Sequence, residues 1–425
     1  MTDFDGVDFF RGDELIADPY PYFDHLRRRC PVHAEPHHGV MMVTGYEEAV
    51  AIFTDPETFS SCNSVTGPFP GLPVPLEGDD VSEVIEQYRD QLPFSDQLPT
   101  MDPPEHKAHR GLLMRLLTPK RLRENEDFMW RRADGQIDQL VARGECELVG
   151  DFAGPFTLYV IADLLGVPQA DHETFRQELQ GGHDPNRALG SAKRPLGHTP
   201  LEFLYDRFAV YVEDRRRQPR DDDLTSLALA TFPDGSTPEV IDVVRVAANL
   251  FSAGQETTVR LLAAAFQVIA EHPDLQRRLR DDPDRIPDFV EECLRIESPV
   301  KGDFRLARRP ASVGGVDIPA GTTVMVVNGA ANRDPRRFTE PSEFDLDRAN
   351  AREHLAFGRG IHACPGGPLA RAEARVAIAR MLERTGDITI SEAAHGPAGA
   401  RRYEYAPTYI LRGLRRLYLE LTPGG

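Results

Sequence analysis

Apolar and polar positions along the chain fall into two regimes. Over residues 103–297 the apolar positions recur at helical spacing almost throughout, which predicts helices near 103–117, 124–143, 156–165, 200–218, 237–271, 273–280 and 285–297. On either side the pattern is shorter and closer to alternation. The first hundred residues predict a helix over 21–29, a hairpin over 32–43 and a Pro/Gly-rich loop over 67–78. Strand-like pieces return at 304–306, 312–318, 323–328 and 405–411, with one more helix over 368–384. The fold class expected is mostly α with minor β. No repeat or low-complexity linker divides the chain, so one domain over 1–425 is expected, with a small mixed region at about 1–100 and 300–330 and a helix-rich region at about 101–297 and 345–390.

Composition narrows the function classes. With 68 acidic and 49 basic residues the net charge is -19, which argues against a grip on phosphate backbones, so no nucleic acid partner is expected. No apolar run approaches the roughly 18 residues of a spanning helix, and the acidic N-terminus lacks the pattern of an export signal. Neither a membrane anchor nor secretion is expected. The five cysteines, Cys30, Cys62, Cys146, Cys293 and Cys364, are scattered and form no C-x-x-C, as suits reduced thiols in a cytoplasmic protein.

One cysteine stands apart. In Phe357-Gly358-Arg359-Gly360-Ile361-His362-Ala363-Cys364-Pro365-Gly366-Gly367, four glycines surround Cys364 just before a helix. Glycine permits positive φ or close approach to a flat ligand, and a helix N-terminus favours a thiolate, so this sulfur suits a metal ligand. A lone cysteine is ordinarily a small buried hydrophobe, but glycine density and His362 reverse that reading. The segment also matches the dinucleotide pattern G-x-G-x-x-A, without the preceding hydrophobic strand that pattern requires. A zinc site from His354, His362 and Cys364 lacks a fourth ligand at sensible spacing.

The helix over 237–271, with Ser236 or Thr237 as its expected cap, is interrupted at its middle by Ser252-Ala253-Gly254-Gln255-Glu256-Thr257-Thr258. A glycine, a carboxylate and two threonines weaken an apolar helix there, and Thr257 can bond back to a carbonyl one turn earlier. Such an acid–alcohol pair reads as a proton relay or, more plainly, as an exposed polar patch. Glu292 and Arg295 share a helix face, the ordinary reading being a surface ion pair. Asp102-Pro103-Pro104-Glu105 reads as a helix start, and behind it His106 and Arg110 lie on one face, able to grip a carboxylate.

Together these pieces resemble the cytochrome P-450 family of haem-thiolate monooxygenases, in the family's order over residues 19–421. The resemblance implies a cytochrome P-450 fold with haem b between the long central helix and the Cys-loop helix. It makes Cys364 the iron ligand, within a loop whose Phe357, Gly358, Gly360, His362 and Gly366 match the family's motif. It likens Ala253, Gly254, Glu256 and Thr257 to the oxygen-activation segment and Glu292–Arg295 to the E-x-x-R pair, with Arg348 as the third member. His106, Arg110, Arg305 and His362 then hold the two haem propionates. Pro365 departs from the larger apolar residue many members carry, and it removes an N–H close to the sulfur.

The implied activity is hydroxylation with dioxygen, Glu256 and Thr257 supplying protons. Electrons would come ultimately from NAD(P)H through ferredoxin reductase and ferredoxin, docking by an acidic face on Lys107, Arg115, Lys120, Arg121, Arg123, Arg359 and Arg371. The rival readings are a peroxide-driven peroxygenase and a non-catalytic haem sensor or electron carrier. A small apolar substrate, such as a terpenoid, steroid or fatty acid, is expected in a pocket of Phe94, Val246, Phe251, Val300, Tyr409 and Ile410, with Phe69 nearby and a polar loop over 181–198.

Overall fold

The computed structural model describes residues 4–180, 199–220 and 222–424; the loop over 181–198 lies outside the described residues. Its strands are β1 (Val32–Ala34), β2 (Met41–Val43), β3 (Phe59–Ser60), β4 (Glu145–Glu147), β5 (Asp303–Ala307), β6 (Ala311–Val313), β7 (Val316–Ile318), β8 (Thr323–Val326), β9 (Thr385–Ile390) and β10 (Tyr418–Pro423). The expected hairpin forms as β1–β2, pairing Val32 with Val43. Strand β2 then runs parallel to β8, giving one sheet of order β1-β2-β8-β5-β3. Residues 32–60 and 303–326, distant in sequence, are thereby joined. The stretch over 312–318 is two strands, because Gly314 and Gly315 at φ 59° and 79° turn β6 back as β7.

The strand expected over 405–411 is not formed. Only isolated bridges, Val300 to Leu411 and Tyr405 to Leu414, occur there. Pro407 removes an N–H from the middle of the run. Strands β4, β9 and β10 make a separate sheet of order β4-β10-β9.

Helices dominate the remainder. The central helix, Val240–Glu271, starts three residues later than expected. Glu239 and Asp242 form a reciprocal capping box, while Ser236 closes a turn by accepting from the Phe232 amide at 2.9 Å. The helix expected from 124 begins at Pro119, since Thr118 accepts the Arg121 amide at 3.2 Å, and it ends at Arg143 before Gly144 at φ 75°. Short helices at Tyr46–Phe53, Ser82–Tyr88 and His172–Gln180 escape the sequence reading.

The central helix is buried along most of its length, with Leu250, Phe251, Leu262 and Phe266 in the main core. It crosses the helix Gly154–Leu164 at Gly254, where a Cβ would lie 2.3 Å from Ile161 Cδ1. Lacking that carbon, the two helices pack closely. On its other flank the central helix faces the Cys-loop helix, Gly367–Arg384, and a cavity of about 290 Å3 opens between them.

Candidate active site

The cavity is assembled from distant pieces of sequence. On one side the Cys364 loop is folded back on itself, the Cys364 amide donating to the Phe357 carbonyl at 2.8 Å. Gly358 and Gly360 have φ of 63° and 72°. At Gly360 a Cβ would lie 2.2 Å from the Phe53 carbonyl oxygen, so the loop can seat only with glycine there. The Cys364 side chain opens into the cavity. Burial raises its thiol pKa, while hydrogen bonds from the Gly366 and Gly367 amides and the Arg110 guanidinium favour the thiolate.

Four cationic or donor groups border the same cavity as the sulfur. Buried His106 and half-buried His362 have ring centroids 4.0 Å apart, and among the described residues the Nε2 atom of each has no hydrogen-bond partner. Burial, first among the causes, depresses their pKa values to about 4 and about 3. Arg305 is buried against Phe53, its guanidinium 5.4 Å from the ring centre, and donates only to the Phe304 carbonyl at 2.6 Å. Arg110 donates to the Ala363 carbonyl at 2.6 Å. Burial lowers the pKa of both arginines. Among the described residues none of the four has a carboxylate partner. Such an arrangement fits an iron porphyrin: a sulfur for the metal, four donors for two carboxylates, and Leu261, Leu294, Phe357 and Leu369 as apolar walls for the ring.

The opposite wall is the stripe of the central helix holding Asn249, Leu250, Ala253, Gly254, Thr257 and Thr258. The Thr257 hydroxyl donates to the Ala253 carbonyl at 2.9 Å, the back-bond expected of it, although the helix stays continuous. Glu256 does not border the cavity; its carboxylate pairs with Arg260 one turn further on. The structure thus brings the alcohol to the cavity and sets the acid on its flank.

A second carboxylate escapes the sequence reading. Glu373 is fully buried at the cavity edge, and burial holds its pKa well above the usual range, the nearby Thr258 hydroxyl acting in the opposite sense. Gly366, Leu369, Ala370 and Glu373 all border the cavity at spacings of 3, 4 and 7, a signal visible in the sequence once Cys364 is singled out.

Glu292 and Arg295 are not a surface pair. Both are wholly buried, with Arg295 donating twice to the Glu292 carboxylate at 2.7 Å. Arg295 also donates to the carbonyls of Asn332, Pro341 and Glu343. Arg348 and the Asp345 amide complete the cluster, each 3.0 Å from the same carboxylate. Asp102 differs from its expected role too: it caps no helix but accepts from Ser60, the Ser61 amide, Arg89 and Arg308. His354 turns to Glu291 at 3.1 Å, away from a shared site with Cys364.

Of the six residues expected to line a substrate pocket, Val300 borders the cavity. Phe251 lies on the other face of the central helix, packed on Phe175 and Phe208, and Val246 joins the same core. Tyr409 and Ile410 belong to the N-terminal core, with the Tyr409 hydroxyl donating to Thr66. Phe94 is a loop residue at φ 61°, beyond the wall. Val65, Leu98, Pro99, Asn249, Leu250 and Pro299 form that wall instead.

Of the expected basic surface, Arg121 is drawn to the Asp163 and Leu164 carbonyls and Arg371 to Glu291. Lys107, Arg115, Lys120, Arg123 and Arg359 remain exposed.

Comparison with known proteins agrees with this geometry. Residues 201–385 match the family model Cytochrome P450. Cytochrome P450 144 of Mycobacterium tuberculosis is 31% identical, over 99% of this chain and 92% of its own length. The cytochrome P450 monooxygenase PikC of Streptomyces venezuelae is 32% identical, over 96% and 92%. The substrate-free structure of Mycobacterium marinum cytochrome P450 CYP150A6 superposes with a TM-score of 0.94 at 56% identity, over 99% of this chain and 100% of that one. With a glycine-rich cysteine loop, donors that lack a carboxylate partner among the described residues and end-to-end likeness to these enzymes, the chain belongs to the cytochrome P450 family of haem-dependent monooxygenases.

Proposed function

We propose that this enzyme hydroxylates a small apolar molecule, using electrons passed from NAD(P)H through ferredoxin reductase and ferredoxin. One observation carries the reading: Cys364, the Thr257 stripe and the acid-free donors border a single cavity whose remaining wall is largely apolar. Haem held there by Cys364 supplies the binding and activation of dioxygen. One oxygen atom enters a substrate C–H bond and the other leaves as water, consuming two electrons and two protons.

The chain's own residues do the rest. His106, Arg110, Arg305 and His362 hold the haem carboxylates. The Thr257 hydroxyl, on the cavity wall, delivers protons inward, and Glu256 exchanges them with the outside, released from and recaptured by Arg260. The wall of Val65, Leu98, Pro99 and Val300 excludes water and favours apolar carbon. Exposed Arg115 and Arg359 offer positive charge to an acidic electron donor.

The test is turnover with a reconstituted ferredoxin system under labelled dioxygen, comparing the parent with Thr257→Ala. The reading expects label in the hydroxylated product and, in the variant, NADPH consumed with oxygen leaving mainly as peroxide. Equal coupling in both proteins, or product formed from peroxide alone at the full rate, would overturn it.

A further inference from the structure

The wall opposite Cys364 is mostly apolar, with Asn249, Thr257 and Thr258 its polar positions on the central helix. Asn249 borders the cavity, partly exposed to it, and its side-chain amide makes no hydrogen bond among the described residues. Three other polar groups bordering the cavity are already bonded within the chain. The Ser64 hydroxyl donates to the Pro99 carbonyl at 2.7 Å, the Thr257 hydroxyl to Ala253, and Asp303 accepts from Asn328 at 2.7 Å. The apolar lining of the same cavity includes Val65, Leu98, Pro99, Leu250 and Val300.

An amide in such surroundings has consequences for what can bind. A pure hydrocarbon filling the cavity strips water from Asn249 and returns nothing, whereas a ligand carrying one hydroxyl or carbonyl replaces that water. An amide both donates and accepts, so either oxygen function is suited. Position sets the orientation. Asn249, Ala253 and Thr257 lie on one helical stripe, and eight residues at the helical rise place Asn249 about 12 Å from Thr257 along the axis. Side chains lean toward a helix N-terminus, which carries the amide further from Thr257.

We infer that Asn249 is a specificity-determining residue, and that the substrate is an apolar skeleton bearing a single hydroxyl or carbonyl anchored at Asn249, oxidised at a carbon toward its opposite end. The inference rests on the proposed apolar-substrate reading and names the substrate class within it. Oxygen function and oxidised carbon are separated by on the order of 10 Å, set by the helix rise, so the anchored molecule lies lengthwise along the helix.

The test is calorimetric titration of the haem-loaded enzyme and of Asn249→Leu and Asn249→Ala with matched pairs: limonene and perillyl alcohol, decane and 1-decanol, 5α-androstane and its 3-alcohol. The ferrous carbon monoxide spectrum verifies that each variant is folded and loaded. In the parent, at least one alcohol should bind about tenfold more tightly than its hydrocarbon, the worth of one hydrogen bond at this scale. Both variants should lose that preference, Asn249→Leu by binding the hydrocarbon more tightly than the parent does, since no amide is then stripped of water. Equal binding within every pair, or a preference that persists in both variants, overturns the inference alone. Failure of every compound to bind the parent overturns it together with the apolar-substrate reading.

Discussion

Two polar clusters of this molecule, the one around Glu292 and Arg295 and the one around His106, Arg110, Arg305 and His362, are built on opposite rules. Around Glu292 and Arg295 every charge is answered: carboxylate, two guanidiniums, a backbone amide and several carbonyls close on one another within 3.1 Å. Around His106, Arg110, Arg305 and His362, among the described residues, neither arginine pairs with a carboxylate within ion-pair distance and two imidazole nitrogens have no hydrogen-bond partner. In the first, Glu292 and Arg295 are wholly buried; in the second His106 and Arg305 are buried and Arg110 and His362 half-buried. Burying unanswered donors costs free energy that a protein retains only where something else answers them. The closed cluster is therefore a structural fastening, and the open one a binding site whose ligand must bring the negative charge.

Breaking the closed cluster should have the largest effect. Glu292→Ala leaves Arg295 buried without a counter-charge, with an expected loss of about 3–5 kcal/mol. Little folded protein should be recovered, and thermal unfolding of what remains should be strongly depressed. Near-parental melting would show that the cluster is not a fastening.

Lys301 offers an intermediate case beside the cavity wall. Its ammonium is wholly buried, donates to the Thr408 carbonyl at 2.5 Å, and burial lowers its pKa from 10.5 to about 7. Between pH 7 and 10.5 the unfolded chain holds a proton that the folded chain has released, so stability rises with pH across that window. Urea unfolding of the parent and Lys301→Met at pH 7.5, 8.5 and 9.5 should diverge in slope by about 1.4 kcal/mol per pH unit. Parallel curves would mean that the site tolerates the charge.

The open cluster should respond in the reverse sense. In the haem-free chain His106→Leu removes an unanswered polar group, so stability should hold or rise by about 1 kcal/mol. In the haem-loaded protein the same change deletes a carboxylate donor, and haem transfer to a scavenging globin should quicken about tenfold. Unchanged transfer would remove His106 from the binding set.

Much of this was legible in the sequence, for physical reasons that differ by region. The long helices follow from a 3.6-residue period sustained over many turns, and the Cys364 loop from glycines that a close turn demands. Helix starts were less legible: Ser236, Thr237 and Glu239 are all competent caps, and only the reciprocal bond with Asp242 selects the last. Which face of a helix meets the cavity was least legible. Phe251 and Asn249 are two residues apart, and apolarity drew attention to Phe251, which the core takes. The buried state of Glu292 and Arg295 was equally hidden, because spacing alone cannot tell a surface pair from one closed over by a distant segment such as 332–348.

The central claim is that the cavity bordered by the open cluster and Cys364 is a haem-thiolate site. Its most direct test is the absorption spectrum of the ferrous carbon monoxide complex of the parent and of Cys364→His. The account predicts the strongly red-shifted Soret band of thiolate ligation in the parent and its loss in the variant. A parent spectrum typical of nitrogen ligation, or a red-shifted band that survives the substitution, would contradict it.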